Sequence, residues 1–150
     1  MTDNTIIKTI FINATPDTVW DYLTDKDKLA TWFHPAEADL ETGKPFSLVS
    51  KSDGGTSEKI CWGNVLKMDR PKTLVYTFTI KPLGGAETTV TWTLEATHGG
   101  TRLLLEHSGI DKAAGEAALG LLTALDTGWD KHFSALREAA TSVSTSGICT

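Results

Sequence analysis

Two stretches, TLVYTFTI at 73–80 and TTVTWTLEA at 88–96, alternate between apolar side chains and threonine or glutamate. Leu74, Tyr76, Phe78 and Ile80 fall on one side of the first, and Val90, Trp92, Leu94 and Ala96 on one side of the second. Successive side chains of a pleated strand point to opposite faces, so each stretch predicts a strand with one buried and one wet face. That pattern belongs to antiparallel sheets, because the strands of parallel sheets are covered on both sides. A single apolar face must be covered by a second layer. The segment from about Lys112 to Ala140 supplies it, since Leu122, Leu125, Trp129, Phe133, Leu136 and Ala140 form one stripe at helical spacing.

The rest of the chain fits around this pair of layers. Residues 6–12, IIKTIFI, predict a first strand. Thr15 reads as an N-cap, Pro16 as the first helical residue and Asp17 as a complement to the helix dipole, giving a short helix to about Leu23 that buries Val19, Trp20 and Leu23. Thr24 or Asp25 caps a second short helix carrying Leu29, Trp32 and Phe33, which Pro35 stops. Two strands joined at Asp53-Gly54-Gly55 are expected next, the first around Phe46 and Leu48. In KICWGNVLKM the alternation is read on Ile60, Trp62, Asn64, Leu66 and Met68. Turns are expected at Arg70-Pro71-Lys72, Gly84-Gly85 and Gly99-Gly100, and TRLLLEHSG is the last strand. Gly120 and Gly128 each cost roughly 1 kcal/mol in a helix interior, which implies a break or a close approach to another element. The polar residues 141–150 are expected to be a disordered tail. The order is that of one α+β domain over residues 1–140.

Composition narrows the function classes. A net charge of -5 with scattered lysines and arginines offers no stripe for tracking phosphates, so nucleic acid is not an expected partner. No apolar run reaches bilayer length and the N-terminus has no signal-peptide pattern; no membrane partner is expected, and the location is expected to be cytoplasmic. Cys61 and Cys149 are too far apart in sequence to suggest a disulfide framework. His34, His98, His107 and His132 have no metal-ligand spacing, and neither a phosphate loop nor an acyl-transfer motif is present, so no metal or other cofactor is expected. Five tryptophans are the unusual feature, each able to bury on the order of 150–250 Å².

Several motifs carry a resemblance: ATPDTVWDYLTD at 14–25, LATWFHP at 29–35, GNVLKMDRPKTLVYTF at 63–78, TTVTWTLEATHGGTRLLLEHSG at 88–109 and GWDKHFSAL at 128–136. With the element order, they make the chain resemble the START-like or Bet v 1-like superfamily over about residues 5–140. Within it, the resemblance is to bacterial proteins similar to the C-terminal domain of the activator of Hsp90 ATPase. Lys67, where an acidic residue is common, and Pro45, in a usually glycine-rich entry to a strand, depart from the pattern. The resemblance implies a helix-grip fold: a curved antiparallel sheet wrapped around a long C-terminal helix, two short helices after the first strand, and a cavity between sheet and helix for an apolar or amphipathic molecule.

Given that implied cavity, the ring-rich sheet face and the helix stripe nominate Trp62, Asn64, Tyr76, Phe78, Trp92, Leu105, His107, Leu125, Trp129 and Phe133 as ligand-binding, with Trp32 and Phe33 at the mouth. His34 is expected to face solvent. Strand parity turns His107 inward, either as a satisfied core histidine or as a group that orients a ligand or moves a proton. Binding of a small hydrophobic or amphipathic molecule is the leading expectation. The family also implies two alternatives: an accessory of an Hsp90-type chaperone, and a cyclase- or aromatase-like enzyme with His107 and Tyr76 as its candidate catalytic pair. Whether the chain forms a homodimer is left open.

Overall fold

The computed structural model describes residues 5–49, 59–80, 87–110, 115 and 118–144, with only the backbone described at 59, 60, 118 and 141–144. In chain order the elements are β1 (Ile6–Ile12), α1 (Pro16–Thr24), α2 (Lys26–Trp32), β2 (Pro45–Val49), β3 (Lys59–Asp69), β4 (Thr73–Ile80), β5 (Thr88–Thr97), β6 (Gly100–Ser108) and α3 (Ala118–Ser144). The strands form one curved antiparallel sheet in the order β1-β6-β5-β4-β3-β2, with α3 packed across its concave face. This is the helix-grip architecture.

Local chemistry sets the element ends. The Thr15 hydroxyl accepts from the Thr18 backbone N–H at 3.4 Å, and Pro16 opens α1. Asp25 rather than Thr24 caps α2: its carboxylate accepts from the backbone N–H groups of Asp27 and Lys28 at 2.9 and 3.1 Å. The Thr24 hydroxyl turns back to donate to the Trp20 carbonyl at 3.0 Å. Between β5 and β6, His98 and Gly99 both take positive φ, the glycine at 86°, which closes a tight turn. The turns expected at 53–55 and 84–85 lie outside the described residues.

The long helix differs from expectation in two ways. It passes Gly120 and Gly128 unbroken, and a Cβ at either would meet nothing within 4 Å, so these glycines mark neither a break nor a close approach. It also continues to Ser144, past the predicted end at Ala140. Extending an existing helix adds one hydrogen bond per residue fixed, which lets a polar segment of modest propensity stay helical. Lys8 of β1 bridges Asp126 and Asp130 of α3 at 2.7 and 3.0 Å, tying the helix to the edge of the sheet.

Strand β3 corrects a second expectation. Cys61 pairs with Ile80 and Val65 with Tyr76, so Cys61, Gly63 and Val65 form the inner face, while Trp62, Asn64 and Leu66 point outward. A register shift between Val65 and Lys67 then brings Met68 opposite Leu74 and back against the core. Apolar residues occur on both faces of this strand, so its parity was ambiguous, and a one-residue error exchanges the faces completely.

Candidate ligand pocket

The centre of the space between sheet and helix is solid. Trp92 of β5, fully buried, packs edge-on against Trp32 of α2 and Trp129 of α3, with ring centroids 6.1 and 5.6 Å apart, and lies 5.8 Å from Phe133. The polar tips of these rings are consumed internally. Trp32 Nε1 donates to the Tyr22 carbonyl at 2.7 Å, Trp92 Nε1 to the Tyr76 hydroxyl at 2.9 Å, and Trp129 Nε1 to His107 Nδ1 at 3.1 Å.

His107 is satisfied on both sides. An indole N–H only donates, so Nδ1 must carry the lone pair and Nε2 the hydrogen. Nε2–H then donates to Thr88 Oγ1 at 2.7 Å, and the Thr88 hydroxyl donates onward to the Phe78 carbonyl at 2.7 Å. Burial pushes the His107 pKa down to about 4, which keeps the ring neutral. Tyr76 is likewise held protonated, chiefly by burial. The two do not form a pair: Val90 of β5 stands between them in register, which separates their strands by two spacings, about 10 Å. Each has its own partner within the packed core.

Open space survives at one end of the layer. A pocket of about 120 Å³ lies between β3, β4, α3 and the residues after α2. Its floor is the fully buried trio Cys61, Phe78 and Trp129; its rim is the half-buried Phe33, His34, Ile80, Leu125, Gly128 and His132. Phe33 stacks on Trp32 at 5.1 Å and meets Trp129 at 5.4 Å and His132 at 4.5 Å, so it forms the wall between the pocket and the solid core. Burial pushes the Cys61 thiol up to about 12, leaving it an uncharged, apolar surface. Among the described residues, no cluster of three or more His, Cys, Asp or Glu side chains could hold a metal ion.

The model of the family described as "Activator of Hsp90 ATPase homolog 1-like protein" matches residues 13–141. The chain belongs to this family. Among solved structures, it is similar to CalU16 from Micromonospora echinospora, with 25% identity and a TM-score of 0.71 over 91% of this chain and 76% of that one. It is also similar to protein MLL2253 from Mesorhizobium loti, with 27% identity and a TM-score of 0.71 over 90% of this chain and 95% of that one. DynU16, from the dynemicin biosynthetic locus, shares the fold at 23% identity and a TM-score of 0.72, over 91% of this chain and 47% of that one. A comparison with curated proteins finds no match. Among the described residues, no helix is long and apolar enough to cross a membrane.

In this member of the Hsp90-ATPase-activator-like family, the residues nominated from sequence separate into three groups. Phe33, Phe78, Leu125 and Trp129 line the pocket. Trp32, Tyr76, Trp92, Leu105, His107 and Phe133 are buried in the solid part of the core. Trp62 and Asn64 face away from it, for the reason of parity given above. The reading missed Cys61, His34, Ile80, Gly128 and His132. Correct parity in β3 would have found Cys61, and His132 lies one helical turn beyond Gly128 and Trp129 on the side of α3 next to the buried stripe. His34, expected in solvent, is half-buried with its ring 4.8 Å from Phe33 and 5.5 Å from His132.

Proposed function

We propose that this protein binds a small hydrophobic or amphipathic molecule of about one ring in the pocket over Cys61, Phe78 and Trp129. The observation that carries this reading is the gradient within the pocket, from a fully buried apolar floor to a half-buried rim bearing two histidines. Such a combination of rigid apolar area with a few convergent polar groups is usual in ligand sites. The volume sets the scale: about 120 Å³ is far below the roughly 300–1,000 Å³ of drug-sized sites and close to the roughly 150 Å³ of a cavity that admits benzene. A larger guest requires Phe33 or Trp129 to move. Titration with benzyl alcohol, followed by tryptophan fluorescence, tests the reading, because Trp129 is part of the floor. A saturable change that is lost in Cys61→Phe supports it; a linear, unsaturable response in the native protein overturns it.

The family description favours a second reading, a chaperone accessory acting through its outer surface. Stimulation of Hsp90 ATPase by the purified chain tests that reading, and absence of both stimulation and binding counts against it.

A further inference from the structure

The rim of the pocket contains an arrangement that a purely apolar guest would leave unused. His34, just after α2, and His132, on α3, present their rings 5.5 Å apart at an interplanar angle of 73°, both half-buried and both lining the pocket. His132 Nδ1 lies 3.2 Å from the Trp32 carbonyl. A carbonyl only accepts, so Nδ1 carries the hydrogen and Nε2 is left with its lone pair. Neither His132 Nε2 nor either ring nitrogen of His34 has a protein hydrogen-bond partner among the described residues.

Resting on the ligand-binding reading above, we propose that the preferred guest is a compact aromatic carboxylic acid, its ring on Cys61, Phe78 and Trp129 and its carboxylate between His34 and His132. A carboxylate accepts two hydrogen bonds. His34 supplies one N–H in its neutral form. His132 supplies the second when Nε2 takes up one proton, either the acid's own or one from solvent, so the bound pair is a carboxylate and an imidazolium. An alcohol of the same shape can use the lone pair of a neutral ring but gains no charge-assisted bond.

The surroundings make the charge on His132 depend on the guest. Both histidines are held below the usual histidine range, His34 by burial and then by His132, and His132 by burial and by Lys131 against the opposing bond to Trp32, so an imidazolium needs an anion beside it. The groups facing them are Phe78 and Ile80 from β4, Cys61 from β3, with an uncharged thiol, and Phe33 beside α2; Lys131 adjoins on α3. No carboxylate of the described residues lines the pocket, so an entering anion meets no competing acid and itself supplies the counter-charge for an imidazolium at His132.

The test is calorimetric titration with benzoate and with benzyl alcohol, at about pH 6 and about pH 8, on the native protein and on the His34→Gln/His132→Gln double variant. Benzoate should bind at least about tenfold tighter than the alcohol at the lower pH and weaken by about tenfold or more at the higher one. Its apparent enthalpy should vary with the ionisation enthalpy of the buffer, reporting uptake of one proton. The double variant should lose the preference for the acid and its pH dependence while keeping saturable binding of the alcohol through the ring contacts with Cys61, Phe78 and Trp129, which also shows that its pocket is intact. Alcohol binding with no preference for benzoate, an acid affinity that ignores pH, or a double variant that keeps the preference overturns this proposal alone. Binding of neither probe overturns it together with the ligand-binding reading.

Discussion

Trp129 of α3 donates its indole N–H to Nδ1 of His107 on β6 at 3.1 Å, and the acceptor in that bond can only be a neutral imidazole. The link between helix and sheet thus depends on one protonation state of one ring. The same bond fixes the tautomer that reaches Thr88, so three strands and the helix share a single polar thread through an otherwise apolar core.

Acid should weaken the fold through this ring. Burial lowers the His107 pKa from 6.5 to about 4, so between those values the unfolded chain binds more protons than the folded one. Stability therefore falls as pH drops through 6.5 toward 4, by about 3 kcal/mol in all. Urea unfolding at about pH 7.5 and about pH 5 measures this. His107→Leu should cost about 1–3 kcal/mol at neutral pH by orphaning the Trp129 N–H, and should flatten much of the slope. What remains should come from His34 and His132, whose pKa values are lowered in the same direction.

The Trp92–Tyr76 bond predicts non-additivity. Trp92→Phe leaves the buried Tyr76 hydroxyl without its donor, and Tyr76→Phe leaves the Trp92 N–H without its acceptor. Each change should cost about 1–3 kcal/mol. The double variant removes both polar groups together, so its cost should fall short of the sum by about 0.5–3 kcal/mol in a double-mutant cycle. Strict additivity would mean that the bond contributes nothing in solution.

Capping at Asp25 is a local prediction. Its carboxylate accepts two of the first backbone N–H groups of α2, while its own backbone N–H closes α1 onto the Asp21 carbonyl at 2.9 Å. Asp25→Ala removes only the side-chain bonds and should lower stability by about 0.5–2 kcal/mol, read from thermal or denaturant unfolding. Thr24→Ala should not reproduce the capping loss, because the Thr24 hydroxyl bonds backward into α1 rather than to α2.

Most of the fold was legible because threonine marks the wet side of β4 and β5 so regularly that their buried faces follow from parity alone. The cap at Thr15 and the stop at Pro35 are equally local. The pocket was less legible. Rings at Trp32, Trp92, Trp129 and Phe133 look the same in sequence whether they enclose a space or fill it; only their mutual approach, 5.6 to 6.1 Å between centroids around Trp92, decides that the middle is filled. The indole nitrogens find their partners, Tyr22, Tyr76 and His107, on other elements, and no local pattern in the sequence brings those groups together. His34 and His132 meet only through the docking of α2 against α3, a relationship that no local period encodes.

Strand β3 provides the sharpest contrast between neighbouring residues. Cys61 lies on the pocket floor, whereas Trp62, the next residue, points to the opposite face, and Gly63 lies so close to β4 that a Cβ there would stand 2.0 Å from the Thr77 carbonyl oxygen. Cys61→Phe should place a ring in the space of about 120 Å³ and abolish the fluorescence response to benzyl alcohol while leaving the chain folded. Trp62→Ala should leave the position and amplitude of that response intact after subtraction of the lost indole, since Trp129 and not Trp62 reports on the pocket. Gly63→Ala should destabilise the sheet by about 2 kcal/mol or more, because the contact is with backbone that cannot rotate away. If the β3 parity were reversed, Trp62→Ala would destroy the response and Cys61→Phe would spare it, so two titrations on these adjacent residues determine which face of the strand meets the guest.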